Sequence, residues 1–221
     1  REYLEKRGIR REIAHKFELG YAPSSWDSLL RYMESKKYSQ KELIEAGLVL
    51  RSEKGSVYDR FRGRLMFPLK DVKENIVGFS GRSLNPDEKT AKYVNTPETF
   101  IYHKRETLFG IHIAKEAVKK EKCIILVEGE FDMITPYQYG IEHIVAIKGS
   151  AVTREQLMLI KRYTNRVYLE LDADAAGEEA IKRGIEEAEY LEFELGIIRF
   201  DFAKDPDEAV RADLAKFKQA I

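Results

Sequence analysis

Cysteine is nearly missing: Cys123 is alone among 221 residues, which excludes a disulfide framework and a cysteine-based zinc site within this chain. No run approaches about 18 uninterrupted apolar residues, so a membrane-crossing helix is excluded. No basic-then-apolar leader opens the sequence, and no secretory signal is expected. The first residue is Arg1, inside a helical pattern, so the sequence reads as part of a longer protein. No Gly-X-Gly-X-X-Gly or Walker pattern occurs, which argues against dinucleotide-binding and P-loop enzymes. The four histidines, His15, His103, His112 and His143, show no metal spacing, and no Ser-His-Asp constellation stands out. Net charge is missing as well, with 38 basic and 38 acidic residues.

The rest of the composition, 43% hydrophobic and 34% charged, fits a globular protein. Cys123 precedes Ile124 and Ile125 and reads as a core residue near a strand, which suits a reducing cytoplasm. The zero net charge conceals a division. Residues 1–50 carry +2, residues 51–120 carry +6 and residues 121–221 carry −8. A basic half joined to an acidic half suits a polyanion-binding surface paired with carboxylates. Carboxylates repel phosphate unless a divalent cation lies between, so the division points to metal-dependent phosphate chemistry. Chance asymmetry of solvated charge is the alternative.

Residues 2–47 read as helical. Ser25 precedes a periodic run over 26–33, with Trp26 and the other lead-in aromatics expected in the core. Ser39-Gln40-Lys41-Glu42 is a capping box for a helix ending at Ala46 and Gly47. Short runs rich in Val, Ile and Phe follow at 56–59, 63–69, 76–83 and 92–95, the signature of antiparallel strands. A helix is expected over 108–120. Strands at 123–127, 143–147, 167–171 and 195–202 then alternate with helices at 131–139, 153–163, 177–190 and 207–218. Alternation of this kind gives a parallel sheet covered on both faces. The expected fold class is α/β: a helical lead-in and mixed α+β module over 1–120, then an α/β module with a parallel central sheet over 121–221.

In an open α/β sheet, functional groups gather beyond the carboxyl ends of the strands. Glu128 follows the first strand of the second module, Asp172 and Asp174 follow the third, and Asp205 and Asp207 follow the fourth. Hard oxygen ligands of this kind suit magnesium, and a second ion about 3.5–4 Å away completes a two-metal arrangement. The competing explanation is capping: Asp174 and Asp207 stand where a helix N-terminus favours an acid. In the basic half, Arg60, Arg62 and Arg64 alternate along an expected strand and would share one face. Arg82 and Lys92 flank a second strand, and His103-Lys104 follows. These residues read as a phosphate-binding surface, with a solvated charged face as the alternative.

Residues 128–132, Glu-Gly-Glu-Phe-Asp, with Asp172-Ala173-Asp174-Ala175-Ala176-Gly177 and Asp205-Pro206-Asp207, resemble the Toprim domain of bacterial DnaG-type primases. Residues 58–69, Tyr-Asp-Arg-Phe-Arg-Gly-Arg-Leu-Met-Phe-Pro-Leu, are similar to the basic motif of that family. Val77-Gly78-Phe79-Ser80-Gly81-Arg82, Lys92-Tyr93-Val94-Asn95-Thr96-Pro97 and Leu108-Phe109-Gly110 follow in the family's order. The resemblance implies the RNA polymerase core of a primase, making RNA primers on a single-stranded DNA template from nucleoside triphosphates (NTPs) with Mg2+ or Mn2+. It makes Glu128, Asp172 and Asp174 the catalytic metal ligands, with Asp205 and Asp207 further acids of the same site. Arg60, Arg62, Arg82, Lys92 and Lys104 would bind template, NTP or RNA primer. It further implies a zinc-binding domain and contact with the replicative helicase through regions outside this sequence, and a helical end cut short after Ile221. A monomer without membrane association is expected.

The sequence departs from the family at several points. Glu130 stands in place of an aromatic, Ala173 in place of Gly, and Ala175 where Arg is frequent. Lys148 occupies the Leu position of a Leu-Gly-Thr-Ala pattern, and Arg105 a Gly position. Other readings stay open: another Toprim enzyme, such as a nuclease or topoisomerase fragment, or a non-catalytic single-strand-binding module.

Overall fold

The structure is a computed structural model that describes residues 1–84, 91–149, 151–170 and 177–221, with backbone only for 177–180. The chain divides into two compact units, one of residues 1–69 and 75–104, the other of 70–74 and 105–221.

In the first unit, α1 (Glu2–Lys6) and α2 (Arg11–Lys16) lead into a short strand, β1 (Gly20–Ala22). Helices α3 (Ser28–Ser35) and α4 (Gln40–Glu45) follow. The capping box forms as expected: the Ser39 side chain accepts from the Glu42 amide, and Glu42 reaches back to the Ser39 N–H at 2.7 Å. Gly47 stops the helix with φ +69, and a Cβ there would lie 2.6 Å from Pro97 Cδ. Leu30, Leu43 and Val49 form a small core between these helices and the ribbon of β2 (Val49–Arg51) and β3 (Val57–Asp59). Strands β4 (Arg64–Lys70), β5 (Ile76–Ser83) and β6 (Tyr93–Asn95) complete a sheet in the order β1-β4-β5-β6. The lead-in is therefore not wholly helical. Gly20, Tyr21 and Ala22 pair antiparallel with Met66, Leu65 and Arg64, and β2 is a strand that the apolar pattern did not single out.

The second unit begins its regular structure with α5 (Ile111–Glu121) and β7 (Ile124–Val127). Then come α6 (Glu130–Gln138), β8 (Ile144–Ala146), α7 (Arg154–Ile160), β9 (Arg166–Leu169), α8 (Gly177–Tyr190) and β10 (Glu194–Ile197). Two short helices, α9 (Pro206–Ala212) and α10 (Leu214–Ala220), replace the single helix expected over 207–218. The break is at Asp213, whose backbone is extended and whose side chain caps α10 through the amides of Ala215 and Lys216. The four strands are parallel, in the order β8-β7-β9-β10. Every residue of β7 is buried, as a strand covered on both faces requires. Ile124 and Leu126 join Ile111, Ala114 and Val118 of α5, Leu157 and Ile160 of α7, and Ala188 of α8 in one core. Among the described residues no helix is long and apolar enough to cross a membrane.

Candidate metal centre and nucleic-acid surface

Strand order sets the position of the acidic site. From β7 the chain passes to β8 on one side, and from β9 it passes to β10 on the other. The carboxyl ends of the adjacent strands β7 and β9 therefore flank a topological switch point, the place where open α/β sheets bind ligands. Glu128 follows β7 directly and is half-buried. The Glu170 N–H donates to the Leu126 carbonyl at 2.9 Å on one side. On the other, the Ile147 N–H donates to Val127 at 2.9 Å and the Lys148 N–H to Glu128 at 3.2 Å. Asp172 and Asp174 lie outside the described residues; in sequence they follow β9.

The rest of the Glu-Gly-X-X-Asp motif serves the start of α6. The Asp132 carboxylate accepts from the Gly129 N–H at 3.1 Å. A Cβ on residue 129 would sit 2.7 Å from Asp132 Oδ2, so glycine fits this close approach. Glu130, at the first position of α6, is buried and ion-paired with Lys148 Nζ. Glu170 is also buried at the same sheet edge. The sequence reading passed over Glu170, although a carboxylate ending an otherwise apolar strand was the available signal.

Asp205 and Asp207 have partners of their own. Asp205 is the N-cap of α9, accepting from the Glu208 N–H at 2.7 Å. Asp207 is buried, receives the Thr135 hydroxyl of α6 at 2.6 Å, and pairs with Arg211 at 2.6 Å. The two acids thus fasten α9 to itself and to α6. Among the described residues, no three His, Cys, Asp or Glu side chains cluster as metal ligands do. The donors near the carboxyl edge are oxygens, whereas Cys123 and His143 sit at the amino ends of β7 and β8. That donor set suits a hard divalent cation rather than zinc. Cys123 is half-buried rather than fully in the core, and burial pushes its thiol pKa up.

In the first unit the arginines do not form the expected stripe. Residues 60–63 are a loop, because Gly63 has φ +62, and β4 starts only at Arg64. Arg64 is buried and structural, donating to the carbonyls of Gly81 at 3.0 Å and Ala91 at 2.9 Å. Arg62 leans on aromatic rings, its guanidinium carbon 4.4 Å from the Trp26 centroid and 5.2 Å from that of Tyr58. It also donates to the Asp59 carbonyl. Trp26 is 63% exposed, not in the core, and meets Tyr58 edge to face at 5.5 Å.

Asp59 fixes this cluster. Its N–H donates to the Trp26 carbonyl at 2.7 Å, and its buried carboxylate accepts from the amides of Leu29 at 2.7 Å and Leu30 at 2.9 Å. It therefore caps α3 from a distant strand. The Arg60 Nε is buried with no hydrogen-bond partner among the described residues, and burial lowers the guanidinium pKa. Arg82 donates to the Tyr93 hydroxyl at 2.7 Å and stacks on Tyr93 and Tyr3. Lys92 and Lys104 are exposed. Glu98 pins the loop before Lys104, accepting from the Lys104 N–H at 2.8 Å and lying 3.2 Å from His103 Nδ1.

Residues 1–115 match the family model described as DNA primase catalytic core, N-terminal domain, and residues 125–210 match a Toprim-like model. The chain belongs to the DNA primase catalytic-core family. A DNA primase of Clostridium acetobutylicum is 44% identical over 213 residues, covering 96% of this chain and 35% of the relative. The chain thus spans little more than a third of that relative's length. A structure of the DnaG primase catalytic domain bound to single-stranded DNA (ssDNA) superposes with TM-score 0.88 at 36% identity, over 100% of this chain and 71% of the other. The zinc-binding and RNA polymerase domains of the Aquifex aeolicus primase give TM-score 0.87 at 35% identity, over 99% of this chain and 54% of the other. Toprim primases generally use divalent metal ions.

Proposed function

We propose that this chain is the RNA polymerase core of a primase, joining NTPs into RNA primers on single-stranded DNA. The observation that carries the reading is Glu128 at the switch point of a parallel sheet, in a chain of this family. In the proposal residues 1–120 hold template and nucleotide, and residues 121–221 hold the metal. Glu128, Asp172 and Asp174 are the ligands, and Mg2+ or Mn2+ is the ion. When bound, such an ion lowers the pKa of the attacking 3′-hydroxyl and neutralises charge on the α-phosphate and leaving pyrophosphate.

The protein's own part is to position. Gly129 and Asp132 hold the turn after Glu128, and the Lys148 amide holds its carbonyl. Asp205 and Asp207 act as framework acids rather than ligands, since both carboxylates are engaged by α9 and its neighbours. Arg60, Arg62, Arg82, Lys92 and Lys104 take the phosphates, and Trp26 with Tyr58 offers rings on which bases of any sequence can stack. The Arg60 Nε, which has no partner among the described residues, supports this role, because an anionic ligand would complete it. The proposal also places the protein in the cytoplasm as a monomer, with a zinc-binding domain and the replicative helicase as partners reached through other parts of the protein.

The test is extension of a pre-annealed primer on single-stranded DNA with labelled NTPs, with and without Mg2+ or Mn2+, and with Asp172→Asn as control. Metal-dependent extension lost in the variant is expected. Failure of the wild-type chain to extend would favour a binding module or another Toprim activity.

A further inference from the structure

Glu130 and Lys148 form a buried ion pair, with side chains only 1% and 6% exposed. Burying two charges commonly stabilises a fold no more than two apolar side chains of similar volume do. The location of the pair suggests a use. Glu130 opens α6 two residues after Glu128, while Lys148 donates its backbone N–H to the Glu128 carbonyl at 3.2 Å. Lys148 does so in a left-handed conformation, φ +59, which costs a lysine energy. One residue therefore holds the Glu128 peptide with its amide and the Glu130 carboxylate with its ammonium. Two extended residues span at most about 7 Å, so Glu128 and Glu130 lie within about one Debye length of each other along the backbone. These are also two of the positions at which the sequence departs from the primase pattern, and the structure makes them partners.

We propose that Glu130 and Lys148 are positioning residues of the metal centre: the lysine cancels the extra carboxylate beside Glu128 and sets the centre's affinity for a divalent cation. The inference rests on the reading of Glu128 as a metal ligand. It predicts opposite effects from the two halves of the pair. Glu130→Gln leaves an ammonium beside the centre and weakens Mn2+ binding about tenfold or more, whereas Lys148→Met leaves a carboxylate and tightens it. The double variant E130Q/K148M returns to within about threefold of wild type, because the two effects are coupled.

Mn2+ binding to the full chain, followed by electron paramagnetic resonance of the free ion and paired with thermal unfolding, tests this. A purely structural ion pair would lower the melting temperature of the single variants and leave Mn2+ affinity unmoved, and that result overturns the proposal. Should one single variant fail to fold, the other carries the test alone: Mn2+ affinity moved in the stated direction supports the proposal, and wild-type affinity overturns it. Wild-type protein that binds no Mn2+ overturns both this inference and the metal reading of Glu128. Binding lost in Asp172→Asn but unchanged in Glu130→Gln overturns this inference alone.

Discussion

The two units build their candidate sites in different ways. In the second, the backbone does the work: strand order creates a switch point, and Glu128 stands there because it follows β7. In the first, side chains do the work: a loop with no regular structure is fixed by Asp59, and its arginines rest on rings and carbonyls. A site made by topology stands or falls with the ligand itself. A site made by stacking spreads its binding energy over several residues, so each loss is partial.

The largest difference should come from Glu128→Gln. Primer extension should fall by about 10²-fold or more, while affinity for single-stranded DNA, read by fluorescence anisotropy, stays close to wild type. Equal loss of both in a folded variant would break the separation of roles. Next in size, Trp26→Ala or Arg62→Ala should weaken single-stranded DNA binding by about 1–3 kcal/mol per lost stack, leaving Mn2+ affinity unchanged. Binding that does not move would make the Trp26–Tyr58–Arg62 cluster a structural brace only.

Asp59→Ala separates anchoring from contact. It removes the acceptor of two buried amides and should cost about 1–3 kcal/mol of stability, seen as a lower thermal midpoint. Weaker DNA binding should follow as the cluster loosens. The smallest effect is expected of Asp205→Ala, which loses one N-cap, worth about 1 kcal/mol. Primer extension should persist. A severe loss of activity at unchanged melting temperature would instead make Asp205 a ligand.

Much of the fold was legible in the sequence. The capping box at Ser39, the strand over Ile76–Ser83 and the alternation after Lys122 all come from local patterns: side-chain reach within one turn, period-two burial and apolar runs. The placement of Glu128 after a buried strand was legible for the same reason. The arginine stripe was not, because Gly63 interrupts the alternation of the three arginines. Trp26 is expected in the core, but a local pattern carries no information about an exposed ring with a guanidinium stacked 4.4 Å away. In sequence Asp207 is the acid at a helix start, yet Asp205 is the residue that caps α9, while Asp207 joins α9 to Thr135, 72 residues earlier.

The sequence by itself determined the alternation of strands and helices after Lys122, the parallel sheet and the acids that end its strands, since each depends on neighbours a few positions apart. Tertiary structure decided which charges meet. Asp59 reaches α3 across 30 residues to Leu29, and Lys148 reaches Glu130 across 18. Contacts over such separations depend on strand order and on where loops return the chain, so no local pattern of residues encodes them.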